Sequence, residues 1–273
     1  MKGRVLIVAG SDSGGGAGIQ ADIKATTALG GFAATAIAAL TAQNTRGVFG
    51  VIGIDPAFVQ QQMTLVLEDI GADAIKTGML AEPAIIEAVA EVLARPEVAP
   101  IPLVVDPVMV AQSGDALLSA GAERSLNERL VPKATLLTPN VPEAERLTGS
   151  PISDAATMEA AAVTLLQRGP KAVLLKGGHM AGEVLTDVLA TAEGCERFES
   201  PRIATVHTHG TGCTLASAIA TGLAQGLSIR DAVARGRDYL QAAIRHAPGF
   251  GHGAGPVDHL AGAPGLADEV LRG

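Results

Sequence analysis

Short apolar runs rich in β-branched residues alternate along the chain with segments whose apolar residues recur at helical spacing. The runs that predict strands are 4–9, 33–40, 72–78, 102–106, 134–140 and 171–178. Segment 56–70 lies between two of them and has the pattern of an amphipathic helix. Alternation of this kind favours an α/β fold, with a mostly parallel sheet covered by helices on both faces.

The alternation changes after Gly178. Segments 182–191 and 196–203 flank the turn-like sequence AEGC, so they predict a β-hairpin at the edge of the sheet, with Cys195 in its turn.

Two further helices are predicted at 211–225 and 229–246, followed by a Gly/Pro-rich tail from Pro248. No internal repeat or charged linker interrupts the chain. We therefore expect a single domain over residues 1–273.

The composition reduces the number of function classes that the chain can belong to. The 273 residues are 48% hydrophobic, which allows a large core, and the formal net charge of −8 comes without a dense Lys/Arg block. The electrostatic pattern of a nucleic-acid-binding protein is missing, so small-molecule chemistry is favoured. The two cysteines suit a reducing cytoplasm. The uncharged stretches 25–45 and 210–229 are too rich in small and polar residues to predict membrane helices.

Ligands of open parallel sheets bind beyond the carboxyl ends of the strands, so the loops there carry the candidate chemistry. The sequence GTGC, formed by Gly210, Thr211, Gly212 and Cys213, opens a predicted helix. Its backbone N–H groups and the helix dipole suit a phosphate. A cysteine at a helix N-terminus has a lowered pKa, so Cys213 is a candidate proton acceptor. The alternatives are a helix entry that only packs closely and a small buried hydrophobe.

The loop after the first strand, AGSDSGGGAGIQADIK, is also rich in glycine, but it lacks the ending of a Walker A motif and a dinucleotide fingerprint. Asp12 and Asp22 would repel a phosphate, which favours a neutral substrate at this loop.

Polar side chains follow three other strands. Asn140 and Glu143 stand three residues apart at the start of a helix, where they suit water-mediated Mg²⁺ binding or a capping box. Asp106 supports a metal or nucleotide site, or only a turn before proline. Lys176 could neutralise nucleotide phosphates, or extend along the sheet to solvent. His207 and His209 form an HxH pair without a recognisable third zinc ligand, so we expect them to shape their loop.

Seven motifs occur in an order that resembles the hydroxymethylpyrimidine/phosphomethylpyrimidine kinases of the ribokinase-like superfamily. They are AGSDSGGGAGIQADIK, TAQNTRGV, KTGMLAE, DPVMVAQSGDALL, TPNVPEAERL, LLKGGH and HTHGTGCT. The resemblance covers about residues 5–258. Its most specific element is the cysteine of the last motif, where most ribokinase-like enzymes carry an aspartate. The first motif departs from the family form, because no proline follows Asp12.

The resemblance implies a ribokinase-like three-layer fold, use of ATP and Mg²⁺, and a homodimer. It implies phosphorylation of 4-amino-5-hydroxymethyl-2-methylpyrimidine and then of its monophosphate, in thiamine biosynthesis. By matching motif, the roles it implies are substrate binding for Asp22, Gln43 and Met79, nucleotide binding for Lys176, Thr208 and Asp106, an Mg²⁺-linked pair for Asn140 and Glu143, and a catalytic base for Cys213.

Three alternatives remain open at this point. A pyridoxine/pyridoxal kinase can share the cysteine motif. A non-catalytic pyrimidine sensor would need neither metal nor base. An NAD-linked oxidoreductase would fit the predicted sheet, but fold does not fix function and the dinucleotide fingerprint is missing.

Overall fold

The computed structural model describes residues 1–109, 119, 121–180 and 182–262. Most of the motif DPVMVAQSGDALL and the end of the predicted tail, residues 110–118 and 263–273, lie outside the described residues.

The strands form a single nine-stranded sheet within these ranges. They are β1 Arg4–Asp12, β2 Phe32–Asn44, β3 Gly47–Gly53, β4 Ala74–Thr77, β5 Leu103–Val105, β6 Leu136–Leu137, β7 Ala172–Leu175, β8 Val184–Thr191 and β9 Gly194–Pro201. Their order is β3-β2-β1-β4-β5-β6-β7-β8-β9. The pairs β2–β1, β1–β4, β4–β5, β5–β6 and β6–β7 are parallel. The pairs β2–β3, β7–β8 and β8–β9 are antiparallel. The predicted mostly parallel sheet is therefore confirmed.

Eight α-helices connect and flank the strands in the described residues. They are α1 Gly18–Ala28, α2 Pro56–Asp69, α3 Pro83–Leu93, α4 Ala122–Arg129, α5 Val141–Thr148, α6 Ala155–Leu166, α7 Thr211–Ala224 and α8 Ile229–Arg245. None of them has the combined length and apolar character that a bilayer crossing requires.

Local signals explain why the predicted helix starts match the structure. The Asp55 side chain accepts a hydrogen bond from the Phe58 N–H at 3.1 Å, and Pro56 occupies the first turn of α2. Ser228 caps α8 by accepting from the Asp231 N–H at 3.1 Å. Such caps satisfy N–H groups that have no acceptor inside the helix, and they can be read directly from sequence.

The two faces of the sheet carry different helices, which gives the three layers that the family resemblance implied. Along β1, Leu6 and Val8 pack into the core shared with helices α2 to α6. Val5 and Ile7 point the other way and pack toward α1, α7 and α8. This alternation is the two-residue period of a strand buried on both faces.

The edges of the sheet differ in part from the prediction. The hairpin of β8 and β9 is confirmed, but its turn is shorter than predicted, and Cys195 pairs with Ala190 inside β9. Strand β3 was not predicted. Its sequence GVFGVIG has three glycines and no alternating pattern, and Phe49 and Ile52 are 73% and 68% exposed. Pairing with the end of β2, rather than burial of one face, defines this strand.

Helix α2 offers a direct test of the layered core. Met63 is fully buried, whereas Leu65 on the same helix is 60% exposed. We expect Met63→Ala to lower the free energy of unfolding by about 2–5 kcal/mol, because a buried cavity replaces the side chain. Leu65→Ala should change it by less than about 0.5 kcal/mol. Chemical denaturation measures both, and equal losses would contradict the assignment of the buried face.

Candidate active site

A cavity of ≈ 350 Å³ opens at the edge of the sheet where the parallel strands end. The candidate residues that line it are Gln43, Met79, Asp106, Asn140, Glu143, Lys176, Thr208, Gly210, Thr211, Gly212 and Cys213. Asp22 does not line it. The structure thus brings together candidate residues of six different chain segments, at the edge where an α/β sheet binds its ligands.

The entry to α7 forms one wall of the cavity. Gly210 has φ +79°, and a Cβ at this position would collide with the carbonyl oxygen of Gly16. Only glycine fits both this conformation and this contact. The Gly210 carbonyl accepts from the Thr214 N–H at 2.9 Å and from the Thr214 hydroxyl at 2.8 Å. The loop after β1 and the start of α7 are therefore packed together.

The first turn of α7 supplies hydrogen-bond donors to the cavity. Gly212 and Cys213 both line it, and the first N–H groups of a helix have no acceptor within the helix. No side chain of the described residues caps this end. The donors and the positive end of the helix dipole suit an anionic group.

A cation and a carboxylate lie beside this turn. Lys176 Nζ is 3.0 Å from Asp106 Oδ1, which also accepts from the Thr138 hydroxyl at 3.1 Å. A Cβ on Gly212 would lie 3.4 Å from Lys176 Nζ, so the lysine head is close to the first turn of α7. Burial would lower the pKa of Lys176, but Asp106 and Glu143 outweigh it and raise the pKa. The cavity therefore keeps a positive charge beside the helix N-terminus.

Asn140 and Glu143 form the capping box that the sequence allowed. Asn140 Oδ1 accepts from the Glu143 N–H at 2.9 Å, and Glu143 Oε2 accepts from the Asn140 N–H at 2.8 Å. Burial, opposed by Lys176 and reinforced by Asp106, raises the pKa of Glu143 to about 7. Since Mg²⁺ keeps much of its hydration shell, such a cation here would be reached through water.

The thiol of Cys213 differs from the sequence expectation. Burial raises its pKa to about 12, although Lys76 and the N–H of Gly18, which donates to the sulfur, act in the opposite direction. The expectation that the helix N-terminus ionises this thiol is wrong for this arrangement. The sulfur belongs to a residue of the cavity wall, but its surroundings favour the neutral thiol.

Asp12 organises the glycine loop after β1. Its carboxylate accepts from the N–H groups of Gly14, Gly16 and Ala17 at 2.6, 3.0 and 2.8 Å. His209 Nε2 lies 2.8 Å from Asp12 Oδ2, and this contact ties the loop to the entry of α7. Of the HxH pair, His209 thus shapes the loop as predicted, and its partner is Asp12.

Asp22 is placed differently from the prediction. It is on α1 rather than in the first loop, it is fully buried, and both of its oxygens lie 2.9 Å from Lys76 Nζ. The Ser217 hydroxyl donates to it at 2.7 Å. The motif AGSDSGGGAGIQADIK was interpreted as one loop, but α1 begins at Gly18 and carries Asp22 away from the cavity.

Gln43 lies in β2 and Met79 follows β4, whereas Lys176 follows β7, which is three or more strands away in the order of the sheet. The Gln43 side chain hydrogen-bonds Asp12, and its backbone exchanges two 3.0 Å bonds with the Ser13 hydroxyl. Met79 packs over Gly10, where a Cβ would collide with the methionine methyl group. Thr41 and Val108 complete this part of the wall, which has an apolar body and a few polar groups.

Sequence reasoning missed the other end of the cavity. His179 and Arg202 line it, and the Arg202 guanidinium donates to the carbonyls of Gly178, Met180 and Gly182. Burial, Lys176 and Arg202 all lower the pKa of His179. His179 follows LLKGG, so its position after a predicted strand could have identified it as a cavity residue. Arg202 follows the edge strand β9, and no local sequence feature indicates that it lines the cavity.

A buried ion pair joins β8 to α8 at the same end. Asp187 accepts from the Gly177 N–H and from Arg237 Nε, both at 2.8 Å. Leu240, Gln241 and Ile244 of α8 also line the cavity. An aspartate in the otherwise apolar run VLTDVLAT was the local signal, but its partner is 50 residues away.

Metal-binding potential rests on the carboxylates already described. Within the described ranges, no group of three or more His, Cys, Asp or Glu side chains is arranged as a direct metal centre.

A family model described as phosphomethylpyrimidine kinase matches residues 12–258. The chain belongs to this kinase family. It is 53% identical over 267 residues to the thiamine biosynthesis bifunctional protein ThiED of Geobacter sulfurreducens, covering 98% of this chain and 54% of that protein. It is 46% identical to the hydroxymethylpyrimidine/phosphomethylpyrimidine kinase of Escherichia coli, covering 93% and 96%. The chain thus spans about half of the first relative and nearly all of the second.

Solved structures agree with the family and the fold. A phosphomethylpyrimidine kinase from Clostridium difficile has TM-score 0.79 and 42% identity, covering 89% of this chain and 100% of that one. An ADP complex of Bacillus subtilis pyridoxal kinase has TM-score 0.88 and 34% identity, covering 96% and 98%. The phosphomethylpyrimidine kinase family therefore shares its architecture with kinases of a different acceptor alcohol.

The hydrogen bonds to the Asp12 carboxylate predict how the stability of the protein depends on pH in the acidic range. Burial would raise the pKa of Asp12, but hydrogen bonds from His209, Gln43 and Ala17 lower it to about 2. A carboxylate with a depressed pKa stabilises the fold above its unfolded value and loses this contribution as the pH falls. We expect Asp12→Asn to lose about 2 kcal/mol at neutral pH, with the loss shrinking below about pH 4.

Denaturation of the parent, Asp12→Asn and the exposed control Asp69→Asn over a pH series measures this effect. If the loss for Asp12→Asn stays constant down to about pH 3, the contribution is not the charge of Asp12.

Proposed function

We propose that this protein is an ATP-dependent kinase that phosphorylates 4-amino-5-hydroxymethyl-2-methylpyrimidine on its hydroxymethyl oxygen and then converts the monophosphate to the diphosphate. The observation that carries the proposal is Cys213 in the first turn of α7, between a helix N-terminus that suits a phosphate and a pocket that suits a small heteroaromatic ring. The family and the fold of the chain support the proposal.

The triphosphate end of the nucleotide fits the wall made by residues 210–213. The N–H groups of Gly212 and Cys213 would bind the transferring phosphoryl group, and Lys176 would offset its charge. Phosphoryl transfer needs mostly positioning and electrostatic stabilisation, and this wall offers both. Asp187, Arg237 and Gln241 are at the far end, where the remainder of the nucleotide would extend.

The acceptor alcohol fits the side formed by Gln43, Met79 and Val108. Gln43 offers an amide to the ring substituents, while Met79 and Val108 cover the ring and exclude water. This fit would bring the hydroxymethyl group near Cys213. Because the neutral thiol is the more stable form, the sulfur would first have to lose its own proton to solvent. The resulting thiolate would then accept the alcohol proton as the new O–P bond forms.

Mg²⁺ fits the donor set beside Lys176. Asp106 and Glu143 provide buried carboxylate oxygens of the type that this cation prefers. Because Asp106 is paired with Lys176 and Glu143 with the Asn140 N–H, these residues would hold Mg²⁺ through water. When bound, the cation neutralises charge on the phosphate oxygens.

A homodimer and a cytoplasmic location complete the proposal. The exposed apolar side chains of the edge strand β3, Phe49 and Ile52, support an association between copies of the chain. Cysteine usage without a disulfide supports a reducing compartment.

Pyridoxal phosphorylation is a second candidate activity, favoured by the pyridoxal kinases among the structural neighbours. A coupled assay of ADP release with each alcohol separates the two. We expect release with the aminopyrimidine alcohol, at a kcat/KM at least about tenfold above that with pyridoxal, and formation of a diphosphate only from the pyrimidine. Absence of ADP release with both alcohols would contradict a kinase and favour a sensor.

The role of Cys213 is tested by Cys213→Ala, with Cys195→Ala as the matched control on the exposed strand β9. Loss of a general base should lower kcat for the alcohol by about 10²-fold or more, with little change in nucleotide affinity. The second reaction should suffer less, because a phosphate monoester oxygen has lost most of its protons at neutral pH. Equal losses in both reactions would assign Cys213 to phosphoryl positioning rather than to proton removal.

A further inference from the structure

Helices α1 and α7 run side by side in the same direction, joined by a ladder of polar contacts. Ser217 donates to Asp22 at 2.7 Å, and Thr221 donates to Thr26 at 3.3 Å. The uppermost contact joins the Gly18 N–H to the sulfur of Cys213. Each step advances four residues in both helices, which is one helical turn. These contacts therefore fix the position of α7 along the axis of α1, and with it the position of Cys213 relative to the loop after β1.

A buried lysine joins this ladder one turn below the cysteine. Lys76 is on the central strand β4, its side chain is fully buried, and Nζ lies 2.9 Å from both oxygens of Asp22. Burial would lower the pKa of Lys76, but Asp22, Cys213 and Asp106 outweigh it and raise the pKa. The ammonium group thus remains charged beneath the cavity, near the one thiol that lines it.

Burial of an ion pair such as Lys76 and Asp22 contributes little or nothing to the free energy of unfolding. Removing two charges from water costs several kcal/mol for each ion, and apolar residues of similar size often give a protein of equal or greater stability. The described contacts of Lys76 and Asp22 add nothing to the cavity lining, since neither residue reaches it. Their effect on the cavity would pass through the field that they exert on Cys213.

We propose that Lys76 and Asp22 are positioning residues that act on Cys213 from beneath the cavity, Lys76 by stabilising negative charge on the sulfur and Asp22 by holding Lys76 one helical turn below it and limiting that effect. The significance of this control for catalysis rests on the proposed function of Cys213 as proton acceptor.

The charged groups around the sulfur support the direction of each effect. After burial, the largest influence on the pKa of Cys213 is the lowering by Lys76, while Asp22 and Asp106 raise it. Lys176, at the end of β7, also interacts with the sulfur as a cation. Lys76 and Asp22 therefore act with opposite signs on one thiol.

The test measures the reactivity of Cys213 without nucleotide or alcohol. In a Cys195→Ser background, Cys213 is the one remaining cysteine, so the rate of alkylation by iodoacetamide between about pH 7 and pH 10 reports its thiolate fraction. We expect Asp22→Asn to speed alkylation at a given pH and Lys76→Met to slow it, each by about tenfold per unit of pKa change. Thr26→Val, an uncharged change two turns below Gly18 on the same ladder, should leave the rate unchanged.

Lys76→Met alone leaves a buried carboxylate unpaired and could prevent folding. The double variant Lys76→Met/Asp22→Asn removes both charges and retains an acceptor for Ser217. Its alkylation should be about tenfold slower than that of Asp22→Asn. Equal rates for these two variants, with thermal unfolding showing both folded, would overturn the proposal and leave Lys76 a structural role.

The pH profile of kcat separates this proposal from the proposed function. A shift of its acidic limb to higher pH in the double variant, together with slower alkylation, supports both. Slower alkylation with an unchanged profile would support control of the thiol by Lys76 but contradict Cys213 as the proton acceptor.

Discussion

The close approach of two loops is the constraint on which the rest of this structure depends. The loop after β1 and the entry to α7 can touch because Gly16 and Gly210 have no side chains at their contact, and because Gly210 adopts a left-handed conformation. The approach brings His209 to Asp12 and sets α7 alongside α1. The N-terminal end of α7 and the loop after β1 thereby become walls of one cavity.

Charge is arranged in layers below that contact. Lys176 and Asp106 pair at the cavity wall, and Lys76 and Asp22 pair one turn deeper, out of reach of solvent. Parallel strands end at one edge, so charged groups at their ends must either pair or face a charged ligand. The outer pair lines the cavity, whereas the inner pair does not reach it. The common architecture of pyrimidine and pyridine kinases suits this arrangement, because the wall proposed to bind the phosphoryl group is separate from the wall proposed to contact the ring.

The sequence predicted most of the architecture because its signals were local. Two-residue and helical periodicities identified the strands and helices, and caps such as Asp55 fixed helix starts within a residue. Strand β3 was not predicted, because an exposed, glycine-rich edge strand has no pattern of alternating buried and exposed residues. Among the candidate site residues, those directly after strands were placed in the cavity, since strand ends determine that position. Asp22 was misplaced because four residues on α1 are enough to turn a side chain from the cavity into the core.

The sequence by itself determined the α/β alternation, the loops that carry chemistry and the family, because each depends on residues adjacent in the chain. Only the tertiary structure decided which charges meet. The pairs His209 with Asp12, Lys76 with Asp22 and Arg237 with Asp187 join segments far apart in sequence, and their formation depends on helix packing that no local pattern encodes. The state of the Cys213 thiol belongs to the same class. Its helix position suggested an ionised sulfur, but burial against these charges, which is a property of the folded chain, makes the neutral form more stable.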